Sequence, residues 1–280
     1  MNRSSRRQDP PVQPTTPAYG ETMPEIAPPP DSCPYTIGSA QTIGKRKAQE
    51  DSFLTSDLGN QEWKRRGVLA AVADGVGGLG NGQVASTTAM RTLIANYAAI
   101  ANSDLPAEKK LLRLMAHAQA EVLKVNNSGT HCACTFICAL VHDMNLSFLS
   151  LGDSHIYLCR AGGLLQLNRD HVLGDAEDER EVLNLPLTPN PRRKAITSFL
   201  GKADLRQIDR NVTPIRLQAG DSLLLMSDGV FGTLSDDEII SCVHGTAQDT
   251  ANAIIKAVVA ADVQGQDNAT CVVIACNTTC

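Results

Sequence analysis

Carboxylates recur in this chain just after short apolar runs, and they do so in one order: Arg46-Lys-Ala-Gln-Glu50-Asp51, Asp74-Gly75-Val76-Gly77-Gly78, Gly152-Asp153-Ser154, Ser227-Asp228-Gly229 and Asp267-Asn268. Most of these acids stand beside a Gly or Ser that lets a strand stop sharply. Oxygen-rich strand ends brought to one place suit hard divalent cations, which take oxygen ligands. The pattern predicts a two-metal hydrolytic centre built at the ends of β-strands.

A 280-residue chain with 42% hydrophobic residues can bury a full core. Its net charge of −5, with one Trp, four Tyr and no long Lys/Arg run, offers neither the basic surface nor the stacking platform that nucleic acid requires. The nine cysteines are odd in number, and no apolar signal-peptide core opens the sequence, so a reducing compartment is expected. No apolar run approaches the ~20 residues of a membrane span. Together these features predict a soluble cytoplasmic protein with no nucleic acid or membrane partner.

Residues 1–34 hold nine of the 14 prolines, mixed with Ser, Thr, Gln and Arg, and predict a disordered arm. It reads as an inert extension, or as a docking tail or phosphorylation target through Ser4, Ser5, Thr15 or Thr16. Residues 35–280 then form one catalytic domain. The run Val68–Ala73, ending at Asp74, predicts a strand buried on both faces. Apolar residues from Val84 to Ile100, and Leu111, Met115, Ala118 and Val122, follow helical spacing. Three close apolar runs at 134–141, 146–151 and 156–159 predict an antiparallel meander. Further strands are expected at Ser222–Met226 and Cys271–Ala275. They flank one helix opened by a Ser235/Glu238 capping box and another over about 249–261. Sheets in the middle with helices outside is the predicted architecture.

With Asp170-His171 and Leu200-Gly201 added, the ordered series resembles the motifs of metal-dependent protein serine/threonine phosphatases of type 2C in their bacterial form, over residues 44–274. The resemblance implies an α+β fold, a four-layer α-β-β-α sandwich of two antiparallel sheets flanked by helices. It also implies two Mn²⁺ or Mg²⁺ ions sharing a bridging hydroxide, and hydrolysis of phosphoserine or phosphothreonine proteins in opposition to a Ser/Thr kinase. Asp74 would bridge both ions and the Gly75 carbonyl would bind one of them; Asp228 and Asp267 would hold the other. Glu50 and Asp51 occupy the first acidic motif, and either could be the direct ligand. Arg46 would take the phosphate, for which a planar guanidinium fork is well matched. Asp153 is either a ligand of a weak third ion or a turn Asp capping its own backbone. Crowding these acids without cations raises their pKa values, so metal should also stabilise the fold.

Four departures qualify the resemblance. Val76 stands where some members have a His as a candidate general acid, which leaves water to protonate the leaving oxygen; His171 reads as structural. His155 replaces the Arg that usually follows Gly-Asp-Ser. The Gly-Thr-Thr strand opening survives only loosely, as Ala133-Cys134-Thr135 or Gly129-Thr130, and these read as packing positions. The segment 172–194, acidic then basic, corresponds to a variable flap: either a grip for acidic phosphopeptides or a solvated charged loop. His131, Cys132, Cys134 and Cys138 lack the Cys-x₂-Cys spacing of common zinc sites, and the three cysteines share one strand face. Among rivals, a calcineurin-like phosphoesterase needs an Asn-His pair and a cysteine phosphatase needs Cys-x₅-Arg; the chain has neither. A degenerate phosphatase-fold module that binds phosphopeptides or scaffolds a kinase pathway is the remaining alternative.

Overall fold

A computed structural model describes residues 33–76, 80–174 and 192–277. The proline-rich arm up to residue 32, Gly77 and Gly78, and most of the charged loop (175–191) lie outside the described residues.

One sheet contains β1 (Tyr35–Thr42), β11 (Ala269–Cys276), β10 (Ser222–Met226), β6 (His155–Arg160) and β7 (Gly163–Gln166), in that spatial order. The other contains β2 (Ser52–Thr55), β3 (Val68–Ala73), β4 (Phe136–His142), β5 (Asn145–Leu151) and the two-residue β8 (Asp209–Arg210), while β9 (Ile215–Arg216) also pairs with β5. Every pairing in both sheets is antiparallel. The α+β sandwich expected from the sequence is therefore present.

Alternation along the strands explains the layering, because successive side chains point to opposite faces. Val68, Ala70 and Val72 of β3 join Ile137 and Ala139 of β4, Leu223 and Leu225 of β10, and Val272 and Ile274 of β11 in a core between the sheets. The intervening Leu69, Ala71 and Ala73 face outward, onto α2 (Gly82–Ala101) and α3 (Ala107–Asn127). On the far side Leu224, Met226, Cys271 and Val273 meet α5 (Asp236–Cys242) and α6 (Ala247–Ala260). Two single turns complete the helices among the described residues, α1 (Trp63–Arg66) and α4 (Asp228–Phe231). Three apolar layers thus separate four structural ones.

The Ser235/Glu238 capping box forms, and a second one, Thr246/Asp249, opens α6 two residues before the expected start. The run predicted at 134–141 becomes a strand only at Phe136. Cys134 is diverted into bridges with Gly75 and Leu200, and Thr135 is tied to Asp74. Cys132, Cys134 and Cys138 all pack in the layer beneath α2 and α3.

Phe136 is wholly buried in that layer. Phe136→Ala should cost about 3–5 kcal/mol in urea unfolding, whereas Ile94→Ala, at a position 61% exposed on α2, should stay within about 0.5 kcal/mol.

Candidate active site

Antiparallel order puts the end of one strand beside the start of its neighbour. The motif acids therefore gather at a single edge of the sandwich. Asp51 precedes β2, Asp74 follows β3, Asp153 links β5 to β6, Asp228 follows β10 and Asp267 precedes β11. Two close backbone approaches hold this edge shut. A Cβ on Gly75 would lie 2.5 Å from the Gly82 carbonyl carbon, so the start of α2 can rest on the end of β3 only through a pair of glycines. A Cβ on Gly229 would lie 2.0 Å from the Asn268 carbonyl oxygen, which fixes the Ser-Asp-Gly turn against the Asp-Asn turn.

Asp51 is 4% exposed. Its Oδ2 accepts hydrogen bonds from Ser227 Oγ and Thr270 Oγ1, both at 2.7 Å, while its Oδ1 is buried without a partner among the described residues. Asp74 is held through its backbone: its N–H donates to Thr135 Oγ1 at 3.0 Å, and its carbonyl accepts the Thr135 N–H at 2.8 Å. Thr135 Oγ1 in turn meets Ser154 Oγ at 2.7 Å, linking the Gly-Asp-Ser turn to Asp74. Thr135 is thus more than the packing residue expected from the sequence.

Asn268 ties the first motif to the last. Its Oδ1 accepts the Glu50 N–H at 2.7 Å, and its Nδ2 donates to the carbonyls of Ile43 and Ala48. Glu50 therefore meets the cleft through its backbone, with its carbonyl accepting Ser86 Oγ at 2.6 Å. Arg46 forms an ion pair with Asp267, Nη2 to Oδ2 at 2.5 Å, at the half-open rim.

Burial raises the pKa of Asp74 well above the usual carboxylate range, and the charges of Asp51, Asp228, Asp153 and Asp267 add to the rise. Asp51, the buried member of the first acidic pair, is one of those charges. Asp51 itself is pushed up to about 6 by burial, against the opposing hydrogen bonds from Thr270 and Ser227. Asp153 is likewise pushed up to about 6, by burial and then by the charge of Asp228. Asp228 is raised by burial and by Asp267. Among the described residues no three His, Cys, Asp or Glu side chains are already closed up as an ion cage.

The two histidines near the cleft have packing roles. His171 is buried, accepts the Gly152 N–H at Nδ1 (3.2 Å), and is lowered in pKa by desolvation. It props up the Gly-Asp-Ser turn, as the sequence reading expected. His155 stacks on Phe231 with ring centroids 3.6 Å apart and meets the Tyr157 hydroxyl at 2.8 Å. Its Nε2 lies 2.8 Å from Asp170 Oδ1, off the axis of a proper hydrogen bond. At the flap, only the root is described: Val172 bridges Ile196, and Leu200 pairs with Cys134 at the cleft edge.

The family profile of protein phosphatase 2C matches residues 43–261, a span that contains every acid of the cluster except Asp267. This chain belongs to the protein phosphatase 2C family. The "Protein kinase and PP2C-like domain-containing protein" of Arabidopsis thaliana is 27% identical over 260 residues, 85% of this chain but 39% of that protein's length. The PPM Ser-Thr phosphatase MsPP of Mycobacterium smegmatis, solved with cacodylate, is 27% identical, with a TM-score of 0.68 over 86% of this chain and 97% of that one. The catalytic domain of the phosphatase PstP, solved with two manganese ions, is 24% identical and shares the fold with a TM-score of 0.66, covering 86% and 97%.

Ser227, Thr270, Thr135 and Asn268 were not singled out as site residues from the sequence. The only signal was that three of them touch a motif: Ser227 and Asn268 lie within one, and Thr135 lies in the loose strand opening. The donor set fits a hard divalent cation, because Asp51 Oδ1 is buried with no N–H or hydroxyl donor, and the further partner of that carboxyl is another acid, Asp74.

These raised values fix the sign of a pH effect. An unfolded carboxyl titrates near ~3.9, so protonated Asp51 and Asp153 favour the folded state. Their contribution is complete below about pH 4 and is lost as pH rises through about 6. Chelator-treated protein should therefore melt at a lower temperature at pH 7.5 than at pH 5. Asp51→Asn should remove on the order of 3 kcal/mol of that dependence. A melting temperature that climbs steadily over this range, unaltered by Asp51→Asn, would contradict the assignment.

Proposed function

We propose that the chain is a Mn²⁺- or Mg²⁺-dependent phosphoserine/phosphothreonine protein phosphatase acting in opposition to a Ser/Thr kinase. The single observation that carries this reading is the cluster of buried Asp51 with half-buried Asp74, Asp228 and Asp153 at the edge of a protein phosphatase 2C sandwich. Asp51, Asp74, the Gly75 carbonyl, Asp228 and Asp267 would hold two ions, with Asp153 reaching a weaker third and Glu50, the other acid of the first motif, binding directly or through water. The PstP catalytic domain, which shares this fold, was solved with two manganese ions. When bound, a pair of such ions acidifies water and clamps the attacking and leaving oxygens of an in-line displacement.

The chain's own groups account for the rest. Left uncompensated, clustered carboxylates repel a phosphate dianion, so substrate can enter only when their charge is neutralised. Arg46 presents two parallel N–H donors at the rim, which match a pair of phosphate oxygens and orient the monoester. To do so it must exchange Asp267 for the substrate. Val76, beside the Asp74–Gly75 pair, offers no proton, so the leaving Ser or Thr oxygen draws its proton from water. Burial pushes the Cys134 thiol well up in pKa, which leaves it a poor nucleophile at the cleft.

Residues 35–280 would form the catalytic unit, with β1 starting at Tyr35. A reducing, cytoplasmic setting belongs to the same reading; eight cysteines are buried as free thiols, and no described helix is long and apolar enough to cross a membrane. One observation favours the rival binding module: Arg46 is tied to Asp267 rather than open to phosphate.

Phosphate release from a phosphothreonine peptide separates the two. The expected outcome is Mn²⁺-dependent hydrolysis that is abolished in Asp228→Asn and lowered about 10–100-fold in kcat/KM by Arg46→Ala, the equivalent of one charged hydrogen-bond pair. Peptide binding without any release, by folded protein in Mn²⁺, would establish the binding module instead.

A further inference from the structure

Arg46 stands on an exposed connection. Residues 43–51 carry the chain from β1 in one sheet to β2 in the other, and they belong to neither ladder. Lys45, Arg46, Lys47 and Ala48 are all exposed, so no packing of their own side chains fixes the loop. A guanidinium on such a loop can meet two phosphate oxygens in one geometry only if the loop is already held. Ordering it at the moment of binding would take free energy from the affinity.

One buried side chain does most of the holding. Asn268, 4% exposed, comes directly before β11. Its Nδ2 donates to the Ile43 carbonyl at 2.9 Å and to the Ala48 carbonyl at 3.0 Å, so it grips the loop on either side of Arg46. Its Oδ1 takes the Glu50 N–H at 2.7 Å, which uses both donors and the acceptor of the amide on this one loop. The loop also lies flat against the Asp267–Asn268 turn. A Cβ on Gly44, where φ is +60°, would come 2.2 Å from the Asp267 carbonyl oxygen, and the Lys45 N–H donates to the Gln266 carbonyl at 3.0 Å. Gln49 closes the neck of the loop, its Nε2 donating to the Thr42 carbonyl at 3.1 Å. The guide for the guanidinium sits on the same turn: Asp267 Oδ1 accepts the Asn268 N–H at 2.8 Å while its Oδ2 meets Arg46 Nη2.

We propose that Asn268 is a positioning residue for the substrate phosphate, holding residues 43–50 so that the Arg46 guanidinium faces the incoming monoester without itself touching substrate. The inference rests on the reading of Arg46 as the phosphate-binding group. The chemistry of the side chain suits the task, because an amide offers two N–H donors and an acceptor oxygen in one plane. Serine in its place would supply a single donor, and an ionised aspartate none. Gln49 acts in the same sense from the other side of the loop, through fewer bonds.

The test is a double-mutant cycle read by calorimetric titration of inorganic phosphate into the Mn²⁺-saturated full-length protein, with Arg46→Ala, Asn268→Ala and the two combined. Asn268→Ala should weaken phosphate binding about tenfold and raise KM for a phosphothreonine peptide by a similar factor, with kcat little changed. In the Arg46→Ala background the same substitution should have almost no further effect on phosphate, since its route runs through the guanidinium. A loss of equal size with and without Arg46 would overturn the proposal and assign Asn268 to the ions or to general packing, as would an unchanged phosphate affinity. If Asn268→Ala does not fold, Gln49→Ala, at a half-buried position, takes its place in the cycle. The expected loss is then about threefold and again confined to protein that retains Arg46; no loss, or one that survives Arg46→Ala, overturns the proposal. Phosphate binding indifferent to Arg46→Ala alone is a separate failure, which refutes the phosphate role of Arg46 and the proposal with it.

Discussion

Both faces of the central strands are apolar, so each sheet has to be covered twice, and everything else follows from meeting that demand. In β3 all six residues are buried, alternately between the sheets and beneath the α2–α3 pair. In β10 and β11 the same alternation divides side chains between the inter-sheet core and the α5–α6 layer. A single sheet with helices on both sides would suit parallel crossovers. Here β4–β5 and β6–β7 are tight hairpins, while β3 and β4, and β10 and β11, are joined through helices yet still pair antiparallel, and two such sheets stacked face to face solve the problem. Stacking also aligns strand ends from both sheets at each edge, which is how acids as far apart in sequence as Asp51 and Asp267 come to share one cleft.

That edge is organised at a cost in electrostatic energy. Asp51, Asp74 and Asp228 are drawn away from water and toward one another, and each is raised in pKa primarily by burial. Neutral donors from Ser227 and Thr270 offset part of the cost at Asp51, and the Arg46 guanidinium does the same for Asp267 at the rim. Nothing comparable serves Asp51 Oδ1. A site with more negative charge than its protein donors can satisfy is pre-set for cations, and the glycine contacts at Gly75 and Gly229 prevent it from relaxing by opening. The fold's rigidity and the site's charge are two sides of one arrangement.

The layers and the acids were legible because both are local patterns: apolar alternation along a strand, and a carboxylate at its end. Asp74, Asp153, Asp228 and Asp267 could each be read from four or five neighbouring letters. What binds them together could not. The Thr135 bonds to Asp74 reach across 61 residues and the Asn268 bond to Glu50 across 218, and neither leaves a mark in the local sequence. Glu50 and Asp51 were indistinguishable as letters, since adjacent residues at the start of a strand differ only in the face they take. Register against Ser227 and Thr270 then decides which one turns inward. Nor does the local sequence show that Gly82 lets the start of α2 touch Gly75.

That the acids at this edge form a cation site can be checked by calorimetric titration of chelator-stripped protein with Mn²⁺ at pH 6 in two buffers of different ionisation enthalpy. Carboxyls with raised pKa values must give up protons to bind. The account therefore predicts two ions per chain and a buffer-dependent heat that reports proton release at pH 6, with the release falling away by pH 8 and diminished in Asp51→Asn. Binding that releases no protons at pH 6, or that is indifferent to Asp51→Asn, would contradict it.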